Sequence, residues 1–126
     1  MSKINIRENS LYIDEQEITF SDNIDQIKVD NDNIYVLLDI PPKEELSYDD
    51  FHNVFCYSGD GKRIWQIGIR PKGDEAVYTM ISFDDDFLYA NDFLGRRYSV
   101  DKYTGQIRSM RVTKLKLRTC KSVYAP

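Results

Sequence analysis

The chain has 126 residues, a formal net charge of −4, 41% hydrophobic and 30% charged residues, a balance that excludes a disordered chain. No apolar run approaches the roughly 18 residues that span a bilayer, and residues 1–5 carry no secretory signal. We therefore expect a single globular domain over residues 1–126, in the cytoplasm and without membrane contact.

Short runs of alternating apolar and polar residues, separated by Asn, Asp or Gly, predict β-strands throughout the chain. The first series lies at residues 3–7, 11–13, 17–20, 26–29 and 34–38. Pro41-Pro42 ends this series, because proline cannot continue a paired strand. Residues 42–52 form the longest predicted loop, with at most one helical turn at 43–46. Six more strands are predicted at 54–57, 63–67, 78–83, 87–91, 97–100 and 107–112, so we expect an all-β fold.

The sequence also contains an internal repeat. Residues 27–36 align without gaps on residues 81–90, and each block has a strand, a polar turn and a strand with an aliphatic-Tyr triplet. Since Tyr12, Tyr35 and Tyr89 recur at one repeat position, they are predicted to build the core or the seam between sheets. The domain then divides into a degenerate repeat at 1–26, repeats at about 27–70 and 78–112, and a basic C-terminal tail at 113–126.

Two glycine turns carry a resemblance to a known family. Asp60–Trp65 (DGKRIW) and Val100–Gly105 (VDKYTG) are similar to the corner and the turn of the four-stranded repeat of quinoprotein-type (PQQ-like) β-propellers. A blade takes about 40–45 residues and a closed propeller about four or more blades. The resemblance therefore implies antiparallel sheets stacked as an open, partial (half) β-propeller, with a β-sandwich as the alternative. The quinone-binding residues of that family have no counterparts here, so no cofactor is expected.

Residues with metal-binding or catalytic chemistry are few. His52, Cys56 and Cys120 are the only His and Cys residues, fewer than the four ligands of a structural zinc site, so no metal is expected. Cys56 lies in an apolar run and is predicted to be a buried, reduced thiol. We interpret His52 as a loop histidine and not as a general base. The sequence thus predicts a protein without catalytic residues.

Charge is distributed unevenly along the chain. Residues 1–92 contain 20 acidic and 8 basic residues, whereas residues 93–126 contain one acidic and nine basic residues. Either the basic C-terminal strands pair with acidic strands of the same domain, or an acidic surface is offered to a basic partner. The alternation of Lys114, Lys116 and Arg118 could follow phosphates, but the acidic body would repel a polyanion, so nucleic acid is disfavoured.

In size and acidity the chain is similar to the immunity (antitoxin) proteins of bacterial contact-dependent growth inhibition systems. That resemblance implies a non-enzymatic, protein-binding domain that neutralises a basic nuclease toxin by covering its active site with carboxylates. Alternatives are a small-ligand or carbohydrate-binding module, or a self-assembling domain in which two copies close one ring as a homodimer. The predicted partner-binding residues are Glu44, Glu45, Tyr48, Asp49, Asp50, Phe51, Asp84, Asp85 and Asp86.

Overall fold

The computed structural model describes residues 3–112, which form three antiparallel sheets of consecutive strands. The first sheet contains β1 (Ile4–Arg7), β2 (Ser10–Ile13) and β3 (Gln16–Thr19). The second contains β4 (Ile24–Asp30), β5 (Asn33–Leu38), β6 (Val54–Ser58) and β7 (Arg63–Gln66), and the one described helix, α1 (Tyr48–Phe51), lies between β5 and β6. The third contains β8 (Tyr78–Phe83), β9 (Phe87–Asp92), β10 (Arg96–Asp101) and β11 (Ile107–Val112). Among the described residues, no helix has the length and hydrophobicity needed to cross a bilayer.

The second sheet lies between the other two and is buried on both faces. Alternate residues of each strand point to opposite sides, so its side chains enter two different cores. On β5, Ile34 and Val36 pack into a core shared with Leu11 of the first sheet. Tyr35 and Leu37 point the other way, into a core shared with the third sheet. Three sheets therefore lie in one stack, and the predicted open, partial β-propeller is confirmed. A two-sheet sandwich does not form, since the central sheet is covered twice.

The connections fall at two opposite ends of the stack. The loop end contains residues 8–9, 20–23, 39–53, 67–77 and 93–95, and the turn end contains residues 14–15, 31–32, 59–62, 84–86 and 102–106. At the loop end, the backbone N–H of Ile24 donates to the carbonyl of Glu8 (2.8 Å) and joins the first two sheets. At the turn end, the ammonium of Lys102 lies 2.8 Å from a carboxylate oxygen of Asp30 and joins the second and third sheets.

Two sequence predictions about packing are corrected. The helical turn lies at Tyr48–Phe51 and not at 43–46, because the hydroxyl of Ser47 caps this turn by accepting from the N–H of Asp50. Of the three repeated tyrosines, only Tyr35 is fully buried. Tyr12 and Tyr89 are half-buried on the outer faces of the first and third sheets, where no described sheet covers them. The repeated triplet therefore indicates a strand. Burial of its tyrosine depends on whether its sheet lies between two others, as only the second sheet does among the described residues.

Trp65 is buried between the second and third sheets. Its indole N–H donates to the carbonyl of Lys102 (2.8 Å), and its ring lies against Gly105. The predicted basic tail at 113–126, with Cys120 and the Lys114–Arg118 alternation, lies outside the described residues.

Candidate functional site

The long loop at 39–53 is held in shape by one carboxylate. Asp50 accepts hydrogen bonds from the backbone N–H of Ser47 (2.9 Å) and from the ammonium of Lys43, which lies 3.1 Å from both carboxylate oxygens. Burial by itself would raise the pKa of Asp50, but the hydrogen bonds from Ser47 and Lys43 outweigh burial and lower this pKa. Asp50 is only 5% exposed. Asp50, predicted to contact a partner, is therefore not part of the exposed surface, because its carboxylate is directed into the loop itself.

His52 forms the base of this loop. Its ring is 1% exposed; Nδ1 donates to the carbonyl of Ile67 (2.8 Å), and Nε2 lies 3.1 Å from a carboxylate oxygen of Asp74. The backbone carbonyl of His52 also accepts from the side-chain amide of Gln66 (3.0 Å). With both ring nitrogens engaged and the ring enclosed, this histidine holds the loop to the second sheet. It has no face open to a ligand.

Tyr48 lies directly on this histidine. The two rings are stacked, with centroids 3.9 Å apart and an angle of 9° between their planes, yet 57% of Tyr48 remains exposed. An exposed aromatic side chain is thus fixed in position before any partner arrives, which lowers the entropy lost on binding. Phe51, also a predicted partner-binding residue, is half-buried on the same helix.

Exposed carboxylates precede and follow Tyr48 in the same loop. Glu44, Glu45 and Asp49 are all exposed, and none of them forms an ion pair with another residue in the part of the chain that the structure describes. Asp49 is oriented by the side-chain amide of Gln66, which donates to its carboxylate (3.2 Å). We name these three carboxylates and Tyr48 the acidic platform. It presents one ordered aromatic ring and three unpaired negative charges at the loop end.

The second predicted group, Asp84–Asp86, lies at the turn end and so cannot join the acidic platform in one contact surface. Asp84 caps its own turn: it accepts from the backbone N–H groups of Asp86 and Phe87 (both 2.9 Å) and from the hydroxyl of Tyr89 (2.7 Å). These hydrogen bonds lower the pKa of Asp84. Asp85 and Asp86 are exposed. The sequence prediction thus combined residues from opposite ends of the molecule.

Three residues that support the acidic platform were not singled out from the sequence. Asn53, fully buried, donates from its side-chain amide to the carbonyls of Leu38 and Tyr78 (both 2.9 Å) and accepts from the N–H of Tyr78 (3.0 Å). Arg70, 2% exposed, donates to a carboxylate oxygen of Asp74 (3.1 Å). Asp74 in turn holds His52. Buried polar groups need partners, but the partners of Asn53 and His52 lie 15 to 25 residues away in sequence, which local patterns do not indicate.

Arg70 is also enclosed by aromatic rings. Its guanidinium lies 4.1 Å from the ring centroid of Tyr78 and 5.5 Å from that of Tyr98, in the geometry of cation–π contacts. A second amino group of Arg70 donates to the carbonyl of Ala76 (2.5 Å). This arrangement fixes the 67–77 loop under the platform. Within residues 3–112, no group of three or more His, Cys, Asp or Glu side chains is placed to hold a metal ion.

Comparisons with known proteins bear on the fold. Residues 1–112 match the model of a family described as "Domain of unknown function (DUF7957)". No curated protein matches the sequence. Two solved structures are similar: the computationally designed Ika8 protein (TM-score 0.55, 11% identity) and the Myxococcus xanthus glutaminyl cyclase (TM-score 0.57, 12% identity).

These alignments cover 86% and 99% of this chain, but only 35% and 53% of the two solved chains. The chain thus spans about a third of the first structure and about half of the second. At such identities the likeness concerns the fold alone.

Proposed function

The chain belongs to the DUF7957 family, and we propose that it is a non-enzymatic domain that binds a cationic protein through the acidic platform. The observation that carries this proposal is the stacking of exposed Tyr48 on the enclosed ring of His52. Aromatic side chains held rigidly at the centre of a patch are typical energetic anchors of protein interfaces. Here the anchor is fixed by a buried network and not by the partner.

The charges around the anchor favour a basic partner. Residues 43–52 contain four acidic residues and one lysine, and that lysine is neutralised by Asp50 inside the loop. The remaining Glu44, Glu45 and Asp49 give the platform a formal charge of −3. A field of one sign on the rim of an interface accelerates association with a partner of opposite sign and selects against other partners.

The best case of such a partner is a nuclease toxin, and the protein would then be an immunity protein acting in the cytoplasm. A nuclease cleft binds phosphates with Lys and Arg side chains. The platform carboxylates would occupy the positions of phosphates, and Tyr48 would occupy the position of a stacked base. The toxin is inhibited because its substrate cleft is covered, so no chemistry by this chain is required.

The test is co-expression with the product of the adjacent upstream reading frame, scored by growth and by complex formation. We expect the wild-type chain to restore growth and to co-purify with that product. A triple variant, Glu44→Lys with Glu45→Lys and Asp49→Lys, should abolish both effects, because it reverses the charge of the platform.

The matched control reverses three carboxylates at the turn end, through Asp32→Lys with Asp85→Lys and Asp86→Lys. This control changes the net charge by the same amount but leaves the platform intact. It should still restore growth. Equal loss in both triple variants would show that only the net charge matters, and it would contradict binding at the platform.

A further inference from the structure

The first sheet has three described strands, whereas each of the other two sheets has four. The directions of its strands show which of the four strand positions no described strand fills. β1 runs from the turn end to the loop end, as do β5 and β9, the second strands of the other sheets. β2 and β3 likewise run with the third and fourth strands. In agreement, the β2–β3 turn lies against the β6–β7 turn, where a side chain at Gly61 would overlap with Gln16. The first sheet therefore lacks a counterpart of β4 and β8 among the described residues.

The empty position has an open edge. In the β1–β2 ladder the N–H of Asp14 donates to the carbonyl of Lys3 (2.8 Å), and hydrogen-bonded pairs alternate along antiparallel strands. With Ile4 opposite Ile13 and Ile6 opposite Leu11, the backbone N–H and C=O groups of Ile4 and Ile6 point away from β2. No described strand pairs with this edge. Unpaired edges of this kind accept a further strand.

Apolar side chains flank the same position. On β4, Ile27 and Val29 pair with Val36 and Ile34, so they face the first sheet. Val29 is nevertheless 49% exposed, and Ile6 on β1 is 42% exposed, although their cross-strand neighbours are buried. A strand added beside β1 would cover Ile6 and Val29 together. The slot between β1 and β4 thus offers both backbone partners and an apolar surface.

Residues 113–126 follow β11 directly, which is the place along the chain from which the missing strand would come. β11 is a fourth strand and ends at the loop end, and the element after a fourth strand is the first strand of the next sheet. Between β3 and β4 this crossing takes only residues 20–23. Residues 113–126 are long enough for a similar crossing and a strand. Three sheets are too few to close a ring, but two copies supply six, within the range of about four to eight found in closed propellers.

We propose that two copies of this chain form one closed six-sheet ring, in which the 113–126 segment of each copy pairs with β1 of the other. Two identical head-to-tail junctions close such a ring with two-fold symmetry. In each junction the outer face of the third sheet packs against the outer face of the first sheet of the other copy. The acidic platform lies at the loop end, away from these faces, so it stays accessible in the ring.

Individual side chains of opposite charge on the two faces support this pairing. The outer face of the third sheet has a depression of about 460 Å³, whose charged lining residues are Arg97, Arg111 and Asp84. The outer face of the first sheet carries Glu17, whose carboxylate accepts from the hydroxyl of Tyr12 (3.2 Å). In each junction Arg97 and Arg111 of one copy would meet Glu17 of the other, which shares its face with Arg7.

The test is the mass of the full 126-residue chain in solution, measured by size-exclusion chromatography with light scattering. We expect 29.6 kDa, twice the 14.8 kDa of one chain. Ile6→Pro removes one edge N–H without touching the β1–β2 ladder and should give 14.8 kDa, whereas Ile6→Ala keeps that N–H and should remain a dimer. Circular dichroism establishes that both variants are folded.

A second pair of variants tests the faces independently. Arg111→Glu should weaken the dimer by about tenfold or more through like-charge repulsion, and adding Glu17→Arg should restore it. A monomeric full chain would overturn the proposal, including the case in which the segment pairs with β1 of its own copy. The proposal would also be overturned if Ile6→Pro remained a dimer, or if neither Arg111→Glu nor its combination with Glu17→Arg changed the strength of the dimer.

Discussion

Replacement of Asp50 by asparagine tests whether one internal carboxylate holds the loop that carries the acidic platform. In the wild-type chain this carboxylate accepts from the ammonium of Lys43 (3.1 Å) and from the backbone N–H of Ser47 (2.9 Å). Asn has nearly the same shape but only one acceptor oxygen and no charge. Asp50→Asn therefore loses the ion pair and leaves an amide group beside donors that it cannot satisfy.

We expect Asp50→Asn to lower the free energy of unfolding by about 2 kcal/mol at pH 7, from about 1 kcal/mol for the weakened hydrogen bond from the N–H of Ser47 and about 1 kcal/mol for the ion pair. The pKa of Asp50 is lowered in the folded chain. Its charged form therefore stabilises the fold at neutral pH, and that contribution is lost as the pH falls through the folded-state pKa. The difference between wild type and Asp50→Asn should accordingly shrink below the ordinary Asp pKa of about 4.

Urea denaturation at a series of pH values from neutral to acidic measures both effects. Asp49→Asn is the matched control, because Asp49 is the exposed neighbour on the same helix and its replacement should change stability by less than about 0.5 kcal/mol. If Asp50→Asn were as stable as the control, or if its deficit were independent of pH, the internal role of Asp50 would be refuted.

Three further predictions concern buried residues of the fold. Asn53→Asp should be at least as destabilising as Asn53→Ala, by about 3 kcal/mol in urea denaturation, because a carboxylate cannot donate to the two carbonyls that the amide holds; wild-type stability of Asn53→Asp would contradict it. Gly105→Ala should cost about 3 kcal/mol in the same assay, because Gly105 has φ +77° and a Cβ would lie 2.6 Å from the ring of Trp65; a loss under about 1 kcal/mol would count against that packing. In a Cys120→Ser background, Cys56 should resist thiol reagents at pH 8 until urea is added, because burial raises its pKa to about 12; labelling of the native chain would show the core to be open.

The strands could be predicted because alternation and turn residues are local. Runs such as residues 34–38 and 78–83 carry their period in the sequence, and the described strands coincide with every predicted one to within a few residues. The location of the helical turn was also encoded, since Ser47 and Asp50 have the spacing of a capping box. The prediction instead followed the helix-forming residues at 43–46, but these residues have no cap and form no helix.

Which residues share a surface required topology and not pattern. The loop at 39–53 follows β5 and the turn at 84–86 follows β8, so three strands separate them and they fall at opposite ends of the stack. Counting strands would have shown this from the sequence. The partnership of His52 with Asp74, 22 residues away, could not be predicted, because it depends on how the 67–77 loop returns over the second sheet.

The most direct test of the acidic platform is the affinity of Tyr48→Ala for the co-purifying upstream product, measured by isothermal titration calorimetry. We expect a loss of about 30-fold, typical of an anchor worth about 2 kcal/mol, with the fold unchanged because Tyr48 is exposed and His52 keeps its own partners. A loss below about threefold, together with loss of binding in the triple variant Asp32→Lys, Asp85→Lys and Asp86→Lys, would place the binding surface at the turn end. That result would contradict binding at the acidic platform.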